Sequence, residues 1–179
     1  MKLEDREWAP FLIEDLFETF LNRKKQIQVP TGGLVNKKSL ESGNTPRITV
    51  KATDNGIAGY YKDIYDKKNY RTFNNFISVS FLGNSFYHAY KASLDMKVHC
   101  LKIKDYDYNK YTGLFISCCI DNVIKNSSYG NQLSATDIVR KKVLLPVDVN
   151  GEIDYKFMED YIKIVMRKKY EVYLDYINF

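Results

Sequence analysis

The chain has 179 residues, 45% hydrophobic and 15% aromatic, with a formal net charge of +5. That is one domain's length with enough apolar content for a core, which excludes intrinsic disorder. No apolar run approaches the roughly 20 residues that cross a bilayer, and the acid-bearing start MKLEDREW lacks a signal peptide's apolar region, so the expectation is a cytoplasmic protein with no membrane contact.

In chain order, Ala9–Ile13 reads as a strand leading into a helix over Glu14–Phe20, where Ile13, Leu16, Phe17 and Phe20 recur at helical spacing. Pro30-Thr31-Gly32-Gly33 breaks the chain, and Val29–Gly43 reads as an irregular polar loop. Arg47–Lys51 is a β-branched strand opened by Pro46, and Asp54-Asn55-Gly56 turns it into a second strand, Ile57–Tyr61. Asn75–Phe81 is a buried strand, closed by Gly83-Asn84 into a hairpin with Phe86–Tyr90, and Val98–Ile103 alternates again. Lys110–Ile124 places Tyr111, Leu114, Phe115, Cys118 and Cys119 at helical spacing and is predicted helical. Ser127–Asn131 is a polar loop, Ser134 or Thr136 caps a helical turn through Ile138, and Val143–Val147 is a strand.

Asn150-Gly151 turns the chain, and Asp154 is placed to cap a helix over Tyr155–Tyr176. That helix carries two apolar stripes, Phe157, Tyr161, Ile164, Val165 and Tyr170 on one and Met158, Ile162, Met166, Tyr173 and Ile177 on the other. One stripe fits the body of the domain and the second a partner, unless both form one broad stripe on a single core. The fold class expected is α+β: mixed or antiparallel β-rich over residues 1–153, with short helices, followed by a C-terminal helix over 154–179.

The chemistry of catalysis is missing. The four prolines, Pro10, Pro30, Pro46 and Pro146, are isolated, so the Pro-Pro-aromatic signature of adenine methyltransferases does not occur. There is no spaced glycine loop, no phosphate-cradling Gly-Lys-Ser/Thr and no Gly-x-Ser-x-Gly. The two histidines, His88 and His99, lack zinc-site spacing, and Cys100, Cys118 and Cys119 read as buried thiols. Asp148, Glu152, Asp154 and Lys156 are the nearest thing to a nuclease set, but acids are expected in a turn and a helix cap. The expectation is therefore a non-catalytic chain, without cofactor or metal.

Several segments, in order, resemble one family. Trp8-x-x-Phe11-x-Ile13-x-Asp15-Leu16-Phe17, Pro46-Arg47-Ile48-Thr49, Asn55-Gly56-Ile57-Ala58-Gly59-Tyr60, and Ile77-Ser78-Val79 with Gly83-Asn84 and Phe86-Tyr87 are similar to the target-recognition domains of restriction–modification specificity subunits. The most specific likeness is the tail, Leu144-Leu145-Pro146-Val147 followed by Gly151-Glu152-Ile153-Asp154-Tyr155-x-Phe157-Met158-Glu159. The resemblance implies an α/β domain that docks on double-stranded DNA and is carried by, or bound to, an adenine-N6 methyltransferase. A full type I subunit of this family resembles two such domains separated by long helices. One domain here implies a half-subunit that pairs with itself through the C-terminal helix, a stand-alone recognition subunit or a part of a larger enzyme.

Reading bases needs donors and acceptors on polar loops, with cations for phosphates. Three loops are the candidates: the first with Lys51, Thr53 and Asn55, the second with Asn84, Ser85 and Tyr87, and the third with Lys125, Asn126, Ser127, Ser128, Tyr129, Asn131 and Gln132. Arg47, Arg71, Lys91 and Lys125 are candidate phosphate ligands, and the basic runs Arg140-Lys141-Lys142 and Arg167-Lys168-Lys169 are further surfaces. The second function class left open is a protein–protein module that binds or regulates a methyltransferase without reading DNA.

Overall fold

The structure, a computed structural model, describes residues 1–64, 70–128 and 130–177. Tyr129, one of the third-loop candidates, lies outside the described residues. Along the chain the elements are β1 (Glu7–Leu12), α1 (Ile13–Leu16), β2 (Phe20–Leu21), β3 (Ile27–Gln28), β4 (Ser42–Ile48), β5 (Ile57–Tyr61), β6 (Arg71–Phe73), β7 (Phe76–Ser80), β8 (Ser85–His88), β9 (Ala92–Leu94), β10 (Val98–Leu101), α2 (Lys110–Ile124), β11 (Lys142–Val147) and α3 (Tyr155–Ile177). The α+β class holds.

Among the described residues, four small sheets carry the body. β1 pairs antiparallel with β11, from Glu7 opposite Val147 to Leu12 opposite Lys142, and so joins the two ends of the domain. A three-stranded sheet runs β10-β7-β8, and a four-stranded one runs β5-β4-β9-β6 with β4 and β9 parallel. β2 and β3 form a separate two-stranded ribbon. The larger core gathers Ile13, Phe17, Ile77, Leu101, Ile116, Ile120, Val143, Leu145, Phe157 and Met158. A smaller one holds Ile48, Phe76, Ala92, Leu94, Val98 and Cys100 beneath the four-stranded sheet. Burying side chains of this size contributes about 1.5–3 kcal/mol each.

The sequence-predicted elements differ from these in instructive places. The helix expected over Glu14–Phe20 is a single turn, because Phe17 bridges to Ile103 and the Glu18 N–H donates to the Lys102 carbonyl at 2.7 Å. β4 starts five residues before the expected strand, with Pro46 inside it. Pro46 is tolerated there because β9 pairs only with Arg47 and Ile48, so at Pro46 the missing N–H takes no partner from that side. β6 and β9, three residues each, were not expected; at that length alternation carries no signal, and pairing to neighbours holds them.

α2 has the predicted bounds but buries a different stripe: Thr112, Gly113, Phe115, Ile116, Ser117, Ile120 and Ile124. Leu114 and Cys118 are exposed, which corrects the expectation of a buried thiol at Cys118. Small residues win the inner face because β8 lies close. A Cβ on Gly113 would sit 2.3 Å from the Tyr87 ring. Asn109 caps α2 by accepting from the Tyr111 and Thr112 N–H groups, and its amide donates to Glu159 on α3 at 2.8 Å.

Asp154 caps α3 as expected, accepting from the Phe157 N–H at 2.8 Å. The first turns of α3 pack on α2 and bury Phe157 and Met158. Its far half is bare: Tyr170, Val172, Tyr173, Leu174, Tyr176 and Ile177 are all exposed. Between α2, α3 and β11 runs an open apolar groove of about 960 Å³ walled by Trp8, Phe115, Leu144, Tyr161, Ile162 and Val165. No helix among the described residues is long and apolar enough to cross a membrane.

Candidate nucleic-acid interface

The second and third predicted loops are neighbours, and the first stands apart from them along β8. Gly83 sits so close to the third loop that a Cβ there would lie 2.6 Å from the Ile124 carbonyl oxygen. Its φ of +89° is one that glycine adopts without strain. The Leu133 N–H donates to the Phe81 carbonyl at 3.1 Å and fastens the third loop to the end of β7. The first loop forms a tight turn at Asp54–Gly56 lying against β8.

Several predicted contacts are already taken inside the domain. Ser85 is 4% exposed; its hydroxyl donates to the Ser117 carbonyl at 2.7 Å and its N–H donates to Asp121 at 2.8 Å. This corrects its assignment as a base reader, since the hydroxyl is buried and its proton is already given to Ser117. The Tyr87 hydroxyl donates to Asn75 at 2.9 Å while its ring packs edge-on against Tyr108. Burial pushes its phenol pKa up. Asn84 bonds back to the Ser80 hydroxyl through its own N–H at 3.2 Å.

Arg47 is corrected as well. It is 3% exposed, and its Nη2 donates to the Gly33 carbonyl at 3.1 Å and to Asp95 at 2.8 Å. It clamps the 30–33 segment onto β4 rather than meeting phosphate. The ammonium groups of Lys51 and Lys91 are paired with Asp54 and Asp63. The Lys51 partnership holds the Asp54 carboxyl below its ordinary pKa. Thr53, Asn55, Lys125, Ser128, Asn131 and Gln132 are exposed, and Ser127 is half-buried. Lys125 borders the apolar groove instead of a polar one.

A polar, cationic surface lies elsewhere on the molecule. One hollow, of about 390 Å³, is walled by Gln28, Thr31, Arg71, Lys97, Gln132 and Ser134. A second, of about 440 Å³, shares Gln28 and Ser134 and continues to Asn22, Arg23, Lys24 and Gln26 on the β2–β3 ribbon. The two share Gln28, Ser134 and Ala135, and among the described residues none that lines them is acidic. Of the predicted residues, they bring together only Arg71 and Gln132. Arg71 donates to the Thr31 carbonyl at 2.6 Å, and Lys97 stands over the Phe81 ring at 4.5 Å.

His99 braces the floor of this groove. Its Nε2 lies 3.0 Å from the Leu133 carbonyl, which can only accept, so Nε2 carries the proton. Its Nδ1 then accepts from the Thr31 hydroxyl at 3.1 Å. Burial lowers its pKa, so the ring stays neutral and holds both walls. The residues missed from sequence are Arg23, Lys24, Gln26, Gln28, Thr31, Lys97 and Ser134. One signal was available: Asn22-Arg23-Lys24-Lys25-Gln26-Ile27-Gln28 is a basic, amide-rich run between Leu21 and buried Val29.

Of the acidic set, Asp148 and Asp154 have structural roles, and Glu152 is exposed. Asp148 accepts from the Asn150 and Glu152 N–H groups, and Asp154 pairs with Arg6 at 2.8 Å. Among the described residues no group of three or more His, Cys, Asp or Glu side chains is arranged to hold a metal ion.

An α+β domain whose groove carries amides, hydroxyls and cations, with no acid among the described lining residues, has the make-up of a polyanion-recognition domain. The chain belongs to the type I restriction modification DNA specificity domain family, whose model matches residues 5–172. It is 29% identical over 163 residues to the type II restriction enzyme BgcI specificity subunit S.BcgI of Heyndrickxia coagulans, covering 89% of this chain and 44% of that protein. The chain thus spans less than half the length of this curated relative.

Solved structures share the fold. The type I restriction–modification S subunit from M. genitalium superposes with a TM-score of 0.58 at 16% identity, over 84% of this chain and 37% of that one. The HsdS subunit from Thermoanaerobacter tengcongensis does so at 0.59 and 9% identity, over 90% and 38%.

Proposed function

We propose that this domain reads DNA sequence for a restriction–modification system and directs an adenine-N6 methyltransferase, with its nuclease, to the site. The carrying observation is the cationic groove lined by Gln28, Gln132, Arg71 and Lys97, with no acid among its described lining residues. Glutamine amides can grip adenine bidentately, each such pair discriminating by about 1–3 kcal/mol, while arginine and lysine take phosphates. Family membership and the relative's description as a specificity subunit support the same reading. The chain supplies recognition and leaves chemistry to its partner.

The exposed Asn131 and Ser128 of the third loop and Thr53 and Asn55 of the first extend the reading surface along the duplex. The bare far half of α3 is the docking element, for a second copy of the chain or for the methyltransferase. The test is selection of duplexes from a random-sequence pool by the chain together with its cognate methyltransferase. A single enriched motif, bound with affinity that falls steeply as salt rises, is the expected result. No enrichment, with methyltransferase binding indifferent to salt, would reject the reading in favour of a protein–protein module.

A further inference from the structure

The groove face of the β2–β3 ribbon carries three side-chain amides whose direction the backbone fixes. Gln26 stands two residues before Gln28, so both lie on one side of the ribbon. The Asn22 N–H donates across the ribbon to the Gln26 carbonyl at 2.9 Å. Asn22, Gln26 and Gln28 all line the hollow that Arg23 and Lys24 border, and Gln28 lines the neighbouring hollow as well.

The two ends of an amide have nearly the same shape, and the hydrogen-bond network decides which is oxygen and which is nitrogen. Asn22 Oδ1 accepts from the Lys24 N–H at 2.9 Å and from the Gln26 N–H at 3.0 Å. Backbone N–H groups only donate, so the oxygen of Asn22 must face them and its Nδ2 must face the glutamines. Nδ2 in turn only donates, and it reaches Gln26 Oε1 and Gln28 Oε1, each at 3.3 Å. Turning either glutamine round would set N–H against N–H. Both glutamines therefore point their oxygens at Asn22 and keep their NH2 groups for the hollow. Among the described residues neither NH2 group donates to another protein group.

We infer that Asn22 is a positioning residue for base reading: it turns Gln26 and Gln28 so that they offer donors, and they select base edges that present acceptors, guanine foremost. The inference rests on the reading that this groove holds duplex DNA. In the major groove guanine shows O6 and N7 side by side, which suits an NH2 group with two hydrogens. Cytosine shows its N4 amino donor there, which would meet the glutamine donor to donor. This narrows the role of Gln28, because a two-point grip on adenine also needs the amide oxygen, and Asn22 engages that oxygen. Arg23 and Lys24, on the same hollow, stand where the flanking phosphates would lie.

The test uses the full chain with its cognate methyltransferase and the duplex they select from a random pool. Replacing one guanine at a time by 7-deazaguanine, which lacks the N7 acceptor, should weaken binding about 2- to 10-fold at the positions the glutamines read. Gln28→Ala should erase the effect at its own position. At the marked positions the ratio of affinities for guanine and cytosine duplexes is then measured within each variant, which cancels any change common to all sequences. Asn22→Ala frees both amides and should bring the ratio toward one. Asn22→Asp still accepts from the Lys24 and Gln26 N–H groups but has no donor, so the glutamines must turn round to donate to it and present oxygens. Its ratio should pass from guanine toward cytosine, and Gln28→Glu should shift the ratio the same way at its own position. A selected motif with no position sensitive to 7-deazaguanine overturns the assignment. A guanine preference that survives Asn22→Ala and Asn22→Asp, even at lower affinity for every sequence, makes Asn22 a structural residue of the turn and overturns it too. Failure of the unaltered chain to bind any duplex in a salt-sensitive way overturns the underlying reading instead.

Discussion

The seam between β8 and α2 and the groove beside the β2–β3 ribbon are built from the same kinds of side chain and do opposite things with them. At the seam, Ser85 is buried on a protein partner, and half-buried Tyr87 and Asn75 pair with each other. At the groove, Gln132 and Lys97 stand on the wall, and Thr31 and His99 brace it from below. A polar residue on a loop is thus no guide to recognition until its hydrogen bonds are traced. Where the interior satisfies a donor, it stabilises the fold; where polar side chains line a concave, cationic surface, they are placed to meet a ligand.

That contrast can be broken by experiment. Arg47→Ala should have the largest effect on stability, a loss of about 3 to 4 kcal/mol in chemical denaturation, because it removes a buried guanidinium from its bonds to Asp95 and the Gly33 carbonyl and frees the 30–33 segment. The salt slope of DNA binding should not change in the folded variant; a changed slope would return Arg47 to the phosphate contacts.

Acid should act on the interior next. Burial holds His88 at a pKa of about 4, well below 6.5, so the folded state refuses a proton that the unfolded chain accepts. Stability is then complete above pH 6.5 and declines as pH falls toward 4, by about 3 kcal/mol in total. His99, also lowered by burial, adds to the decline in the same direction. Urea midpoints that stay flat across this window would mean that the imidazoles are solvated.

Ser85→Ala should cost about 1–2 kcal/mol and leave DNA affinity unchanged, read by paired melting and binding titrations. The smallest stability change and the clearest binding change belong to Arg71→Ala. Melting should move by no more than about 0.5 kcal/mol, while the salt slope becomes shallower by about 1. An affinity loss for Ser85→Ala, or none for Arg71→Ala, would reverse the assignment of the two regions.

Much of the fold was legible because its signals are local. The bounds of α2 and β5 and the Asp154 cap of α3 follow from periodicity and capping chemistry confined to a few neighbouring residues. The buried strand at Ile77-Ser78-Val79 and the closing Leu-Leu-Pro-Val strand were readable for the same reason. The inner face of α2 was not, since the choice of Gly113 and Ser117 over Leu114 and Cys118 is made by the approach of β8. β9 exists only because β4 and β6 flank it.

Of the candidate site, Arg71 and Gln132 were found from sequence, and the rest of the groove was not. Its walls come from residues 22–31, 71, 97–99 and 132–136, segments that no window of sequence joins. By itself the sequence determined an α+β chain of family-specific segments with no catalytic motif, because hydrophobic period, turn residues and missing signatures are all written within short stretches. Only the tertiary structure decided which polar side chains face outward. A hydrogen bond such as Ser85 to Ser117 or His99 to Leu133 pairs residues more than thirty positions apart, and it is that pairing which removes one donor from the surface and fixes another beneath the groove.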